Sequence, residues 1–265
     1  ALQEKARTRP DLGQPPFYVA RAFVRQGQDR LASNLLSVAR DFYDRALQTV
    51  EASLKGQDAN VALHYRAALM VGLLSEADPE MNTRLADRLR DLVEKTAALA
   101  RPGDPNYVDI RILQANYYRS HDNLAKALEV NRALFKELPN DPRTRLALAS
   151  VLRRSPADRA EAIELLAQPL PPENSMIGYR AAERPRMEYR RLYELTEARL
   201  DAYPEAVDDA ARENARQRIE ESLNAASRVL SPDDPGILAL RGRQTLVVGG
   251  NSAAAARDAI PLLQR

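Results

Sequence analysis

The chain has 265 residues, a net charge of +2 and no cysteine. The near-neutral charge gives no electrostatic reason to expect binding to nucleic acid or to an acidic membrane. The lack of cysteine excludes disulfides, thiolate catalysis and cysteine-ligated zinc. Ala, Leu, Arg and Glu, all good helix formers, dominate the composition. Because no segment alternates apolar and polar residues as a strand does, the sequence predicts an all-α protein.

Helical periodicity predicts a series of helices after an extended lead-in at residues 1–15, which contains Pro10 and Pro15. The loops between these helices are short, so we expect consecutive helices to pack as antiparallel neighbours. The predicted helices are 16–26, 29–54, 58–75, 79–100, 105–120, 122–138, 142–154, 157–167, 174–183, 186–202, 205–230, 235–248 and 251–264.

Four Asp-Pro steps separate the predicted helices. Aspartate is a favoured N-cap because its carboxylate accepts free backbone N–H groups of the first turn. Proline is favoured at the next position because its missing N–H has no helical partner there in any case. We therefore expect each step to begin a helix. The four steps are Asp78-Pro79, Asp104-Pro105, Asp141-Pro142 and Asp234-Pro235.

The strongest break in the chain is the proline-rich stretch 168–173. It separates predicted helical repeats at 16–167 from more irregular helices at 168–265. In the second part, Pro185 interrupts the pattern again, and Gly249-Gly250 predicts a tight turn before the last helix.

One helix-pair pattern recurs along the chain. A small residue stands where paired helices approach each other, a large residue follows one turn later, and another small residue comes from the second helix. Ala115 and Ala149 are equivalent positions 34 residues apart. We expect Gly27 in a turn that needs positive φ. The positions are Val19, Ala20, Phe23 and Gly27 with Ala32, Leu36 and Ala39; Ala115 and Tyr118 with Ala127 and Leu134; and Leu148, Ala149 and Leu152 with Ala162.

With these positions, the sequence resembles the tetratricopeptide repeat (TPR) family, whose period is about 34 residues. The resemblance covers about residues 13–167 and, weakly, about residues 235–264. It implies a right-handed α-solenoid of stacked antiparallel helix pairs. The family's bulky aromatic early in the first helix is replaced by Pro16, Arg111 and Arg145. The alternative is a generic all-α bundle with alanine-rich packing.

In the family, the first helix of each pair lines a concave groove, so the resemblance also implies which side chains bind a partner. Arginine binds carboxylates through two parallel N–H donors, and we expect an acidic peptide or protein as the partner. The alternative is that these arginines are solvated or pair with nearby acids. The implied groove residues are Arg21, Arg25, Asn116, Arg119, Ser150, Arg153 and Arg154.

These observations predict a non-enzymatic interaction scaffold that uses no cofactor and no metal. His64 and His121 have no second His or Cys at metal-ligand spacing. No apolar run approaches the ~18 residues of a membrane span, and the sequence does not define a compartment. The first alternative is a self-assembly module, because Leu262 and Leu263 place apolar surface on the last helix. That surface, and a start at Ala1 without Met, lead us to expect a longer protein.

A lower alternative is binding to single-stranded nucleic acid. The segment from Tyr179 to Tyr193 interleaves tyrosine and arginine, as stacking surfaces for bases do. Glutamates at 183, 188 and 194 dilute its charge, however, and Tyr189 and Tyr193 have the four-residue spacing of a buried helix stripe.

Overall fold

The computed structural model of the protein describes residues 15–172, 183–250 and 252–263. Within these ranges the secondary structure is α-helix and short 3₁₀ helix with no strand, which confirms the all-α prediction. The chain divides into two compact units, Ala1–His121 and Asp122–Arg265. The helices of the first unit are α1 (Pro15–Ala32), α2 (Leu36–Leu54), α3 (Val61–Ala77), α4 (Pro79–Leu99) and α5 (Tyr107–Ser120). Those of the second unit are α6 (Leu124–Glu137), α7 (Pro142–Leu152), α8 (Arg159–Ala167), α9 (Arg184–Ala202), α10 (Asp209–Val229), α11 (Pro235–Val248) and α12 (Ala253–Leu263).

Consecutive helices pack against each other in both units. In the first unit α1 packs on α2 and α3 packs on α4, while α1 also contacts α3. In the second unit α7 packs on α8, α9 on α10 and α11 on α12. The predicted helix pairs that lie within one unit are therefore confirmed. Apart from Pro15 and Glu183, the predicted lead-in and the predicted helix 174–183 lie outside the described residues. The predicted boundary between 167 and 168 stays a prediction.

Three of the four Asp-Pro steps begin helices as predicted. The carboxylates of Asp78, Asp141 and Asp234 each accept the backbone N–H two residues further on, at 2.8, 2.9 and 2.9 Å. The prediction is wrong at Asp104, because α5 begins only at Tyr107. Here the carboxylate accepts the backbone N–H of Arg101 at 2.7 Å and closes a turn before the helix.

Most of the predicted small positions are packing positions. These alanines are at most 1% exposed: Ala20, Ala39, Ala115, Ala127, Ala149 and Ala162. Ala32 is exposed, contrary to the prediction, because α1 continues to this residue and α2 starts only at Leu36.

Gly27 does not lie in a turn as predicted, but inside α1. A Cβ at this position would overlap the ring of Tyr43 from α2, so the glycine makes room for this ring between the two helices. The turn between the two helices is made instead by Asn34, with φ of 58°. The second predicted turn is confirmed: Gly249 ends α11, Gly250 has φ of 64°, and Ala255 is buried beside it.

No helix in the described ranges is both long and apolar enough to cross a membrane. The same ranges hold no group of three or more side chains that could bind a metal ion. The histidines have structural contacts: His64 is buried with Nδ1 2.9 Å from the Asn60 carbonyl oxygen, and His121 Nδ1 lies 2.8 Å from the Tyr117 carbonyl oxygen.

Candidate binding groove of the first unit

The first unit contains an open cavity of about 770 Å³, which we call the groove. Helices α1, α3 and α5 provide most of its walls, and α4 contributes Leu89 and Val93. The groove is lined by Phe17, Tyr18, Arg21, Arg66, Ala68, Leu69, Met70, Gly72, Leu73, Glu76, Leu89, Val93, Leu113, Asn116, Tyr117, Arg119 and Ser120.

Helix α3 is apolar on both sides, because it faces the core with one side and the groove with the other. Ala67, Val71 and Leu74 are completely buried. On the groove side, Leu69 and Leu73 are 42% and 44% exposed. Neighbouring exposed leucines in a concave surface are typical of an interaction site rather than of a solvated helix face.

Three charged side chains of the groove have no partner within the described ranges. Arg21 on α1 and Arg66 on α3 have no hydrogen-bond or ion-pair partner among the described residues, and the same holds for Glu76 at the end of α3. Arg119 on α5 also lines the groove but already takes part in another interaction. Unpaired guanidinium groups beside apolar surface are available to bind a carboxylate in two-pronged geometry.

Tyrosines hold one wall of the groove in place. The ring of Tyr117 packs against those of Tyr118 and His121, with centroid distances of 5.9 and 4.2 Å. Tyr118 donates its hydroxyl proton to Glu94, and burial, followed by this hydrogen bond, raises the pKa of Tyr118 to about 12. Tyr118 therefore stays neutral and fixes α5 against α4 throughout the physiological pH range.

Of the predicted partner-binding residues in the first unit, Arg21, Asn116 and Arg119 lie together in the groove. Arg25, one turn after Arg21, is exposed but is not a lining residue. Their role in binding stays a prediction. The repeat pattern does not point to Arg66, Leu69 and Leu73. The composition of the helix does carry a signal, since Arg66 and Glu76 are the only Arg, Lys, Asp or Glu residues in the 17-residue helix α3.

The predicted residues of the second unit have different surroundings. Ser150 is 3% exposed, and its hydroxyl donates to the carbonyl oxygen of Ala147 at 2.9 Å. Arg154 is exposed. Arg153, just after α7, donates from Nε to Glu194 Oε2 at 2.7 Å and from Nη1 to Asp201 Oδ2 at 3.1 Å.

The contacts of Arg153 belong to a charge network that joins three helices of the second unit. Arg243 of α11 donates to Glu197 and Asp201 of α9, and Arg153 reaches the same two acids from the end of α7. Burial lowers the pKa of Arg153, but the surrounding carboxylates together raise it above its ordinary value. The guanidinium is thus fully charged and paired with acids of its own chain. This arrangement agrees with the alternative given above, in which the predicted arginines pair with nearby acids.

The tyrosines considered for nucleic-acid stacking are half-buried on α9. Tyr189 and Tyr193 pack against the core that contains Leu192 and Ile219. Tyr189 donates to Asp234 Oδ1 at 3.2 Å, and burial raises the pKa of Tyr189 to about 12. This packing supports the buried stripe rather than a stacking surface for bases. Tyr179 lies outside the described residues.

No protein-family model and no curated protein matches the chain. Among solved structures, the chain is similar to YrrB, whose crystal structure is described as that of "a TPR protein with an unusual peptide-binding site". The sequence identity is 15% and the TM-score is 0.43, and the match covers 83% of this chain and 90% of that chain.

Proposed function

We propose that the protein is a non-enzymatic interaction scaffold, and that the groove of the first unit binds a peptide or a surface segment of another protein. The observation that carries this proposal is the combination of exposed Leu69 and Leu73 with unpaired Arg21 and Arg66 in one cavity of about 770 Å³. Apolar surface and forked N–H donors hold a ligand without acting on it chemically.

The energetics favour a ligand with apolar and acidic side chains. Burial of one leucine-sized side chain contributes roughly 1.5–3 kcal/mol, and the two leucines offer a continuous apolar contact. Arg21 and Arg66 add charge-assisted hydrogen bonds to a carboxylate, and neither has to leave an existing partner first. A ligand that covers the leucines would also exclude water from these hydrogen bonds.

The proposal is tested by affinity capture from a lysate of the source organism, with captured proteins identified by mass spectrometry. Wild type is compared with the double variant Arg21→Glu, Arg66→Glu, which reverses both unpaired groove charges. The matched control is Arg30→Glu, Arg190→Glu, two exposed arginines on α1 and α9 that do not line the groove. We expect a partner that the control retains and the groove variant loses.

Circular dichroism of all three proteins shows whether the reversals leave the helices folded. A partner that the groove variant still captures as well as wild type would contradict the proposal, and so would equal losses with the groove variant and the control.

A second candidate function is self-assembly, which the last helix favours. Ile260 and Leu263 on α12 are 49% and 50% exposed. Exposed apolar surface on a helix of a repeat protein is typical of a site where another subunit packs. Light scattering over a concentration series tests this function. A mass that rises with concentration in wild type but not in Ile260→Ser, Leu263→Ser would support it, and a constant monomer mass would contradict it.

A further inference from the structure

The groove side of α3 carries its charges in a fixed order. Arg66, Leu69, Leu73 and Glu76 are spaced by three, four and three residues, which places them on one face of the helix. All four line the groove. Read along α3, this face presents a positive charge, two leucines and a negative charge.

The separation of the two charges sets a length for the ligand. Arg66 and Glu76 are ten positions apart in the sequence, and an α-helix rises 1.5 Å per residue, so their backbone positions are about 15 Å apart. Both charges are unpaired within the described part of the chain. A ligand that lies along α3 therefore meets opposite charges at its two ends.

Glu76, at the negative end of this face, distinguishes between ligands of different charge. A uniformly acidic segment would gain at Arg66 but would place a carboxylate beside Glu76, and like charges brought together at an interface select against a ligand. A segment with a basic side chain at that end would instead form an ion pair. Arg21 on α1 and Arg119 on α5 also line the cavity, and Arg119 already takes part in another interaction, while Glu76 is the one acidic side chain among the lining residues in the described part of the chain.

We propose that the groove selects a peptide segment of dipolar charge: an acidic side chain that meets Arg66, two apolar side chains that cover Leu69 and Leu73, and a basic side chain about 15 Å away that meets Glu76. Glu76 is then the specificity residue that rejects uniformly acidic peptides and fixes the direction in which the ligand lies. This inference rests on the proposed function, since it names the ligand of the same groove.

The experiment uses a phage-displayed library of random 12-residue peptides, panned against the full chain. Selected peptides are synthesised with a fluorescent label and measured by fluorescence anisotropy. Each is compared with a version whose basic residues are replaced by glutamate. We expect wild type to bind the dipolar peptide about tenfold more tightly than the all-acidic version.

The variant Glu76→Arg provides the decisive comparison, because it reverses one exposed charge and leaves Arg66 and both leucines in place. We expect its preference to invert, so that the all-acidic peptide binds more tightly than the dipolar one. Wild type that binds the all-acidic version as tightly as the dipolar peptide would overturn the inference, and so would an unchanged preference in Glu76→Arg.

The failure of the proposed function gives a different result. Selected peptides are also measured against the double variant Leu69→Asn, Leu73→Asn, which removes both exposed leucines of the groove. If no selected peptide loses affinity for this variant, the groove is not the binding surface, and the dipolar ligand is overturned together with the proposed function. If affinity is lost but Glu76→Arg leaves the charge preference unchanged, only the dipolar ligand is overturned.

Discussion

Arginines on or just after the first helices of the pairs have opposite surroundings in the two units. Arg66 in the first unit faces an open groove beside two exposed leucines and has no partner among the described residues. Arg153 in the second unit is surrounded by Glu194, Glu197 and Asp201. Arg153 is paired because the neighbouring helix α9 presents acids at intervals of three and four residues, whereas Arg66 lies beside leucines of its own helix α3. Arginines of the two units therefore differ in their availability to a ligand.

The largest expected effect is on the free energy of unfolding, when Arg153 and its ion pairs are removed. Arg153→Ala would take from Glu194 its ion-pair partner and would leave Glu197 and Asp201 with Arg243 alone, and we expect a loss of about 3 kcal/mol in the free energy of unfolding. Urea unfolding followed by circular dichroism measures the loss. Arg154→Ala, at the exposed neighbouring position, is the matched control and should change stability by less than about 0.5 kcal/mol. Equal small effects would show that the network does not stabilise the second unit.

Replacement of the two exposed groove leucines in the first unit should affect binding and not stability. Leu69→Asn, Leu73→Asn is expected to weaken binding of a library-selected peptide by about 2 kcal/mol, since these side chains would form the apolar centre of the interface. The free energy of unfolding should remain close to that of wild type because both leucines are already half-exposed. Leu36→Asn, at a 41% exposed leucine outside the groove lining, is the control and should bind normally. A large loss of stability in the double variant would instead assign these leucines to the core.

A smaller effect on stability is expected from Asp78, a buried aspartate of the first unit. Asp78 is 4% exposed, caps α4 and accepts the Nε–H of Arg40 at 2.8 Å. Asp78→Ala removes the cap, and we expect a loss of about 1 kcal/mol from this alone. Asp104→Ala is the matched control because Asp104 also precedes proline but does not cap a helix, and it should lose less in the same urea experiment. Equal losses of stability in both variants would contradict the stabilising role of the Asp78 cap.

The smallest effect is a difference in pH dependence between the two units. The hydrogen bond from Arg40 lowers the pKa of Asp78 below 3.8, so its contribution is present above that pH and is lost as the pH falls through the lowered pKa. Burial raises the pKa of Glu197 above 4.5 despite Arg243 and Arg153. For this group, folding favours the protonated form, so its contribution improves as the pH falls through the raised pKa.

Urea unfolding of wild type and Glu197→Gln between pH 7 and pH 4.5 separates the Glu197 contribution from the rest of the chain. The stability of wild type relative to the variant should increase as the pH falls, because only wild type titrates at this position. A relative decrease would mean that the charged form of Glu197 is the favoured one.

Local signals in the sequence account for most of the fold. Asp78, Asp141 and Asp234 begin helices because capping is decided by a residue and its immediate neighbours. The buried alanines were found for a similar reason, since small residues recur at one position of the repeat. The prediction of a turn at Gly27 is wrong because its contact, Tyr43, belongs to another helix and cannot be inferred from a local pattern.

The candidate site was less accessible to sequence reasoning. Arg21, Asn116 and Arg119 were reached through the family resemblance, but Arg66 was not, because the register of the second repeat was not recognised. The acids around Arg153 lie 41 to 48 residues further along the chain, and only the folded structure brings them to it. An arginine's availability is a tertiary property, which neither composition nor repeat position defines.

Hydrogen–deuterium exchange with and without a library-selected peptide tests the central claim most directly. If the groove of the first unit is the binding surface, the peptide should slow exchange in segments from α3 and α5 and leave segments from α7 and α9 unchanged. Protection in α7 and α9 without protection in α3 would contradict the account and assign binding to the second unit.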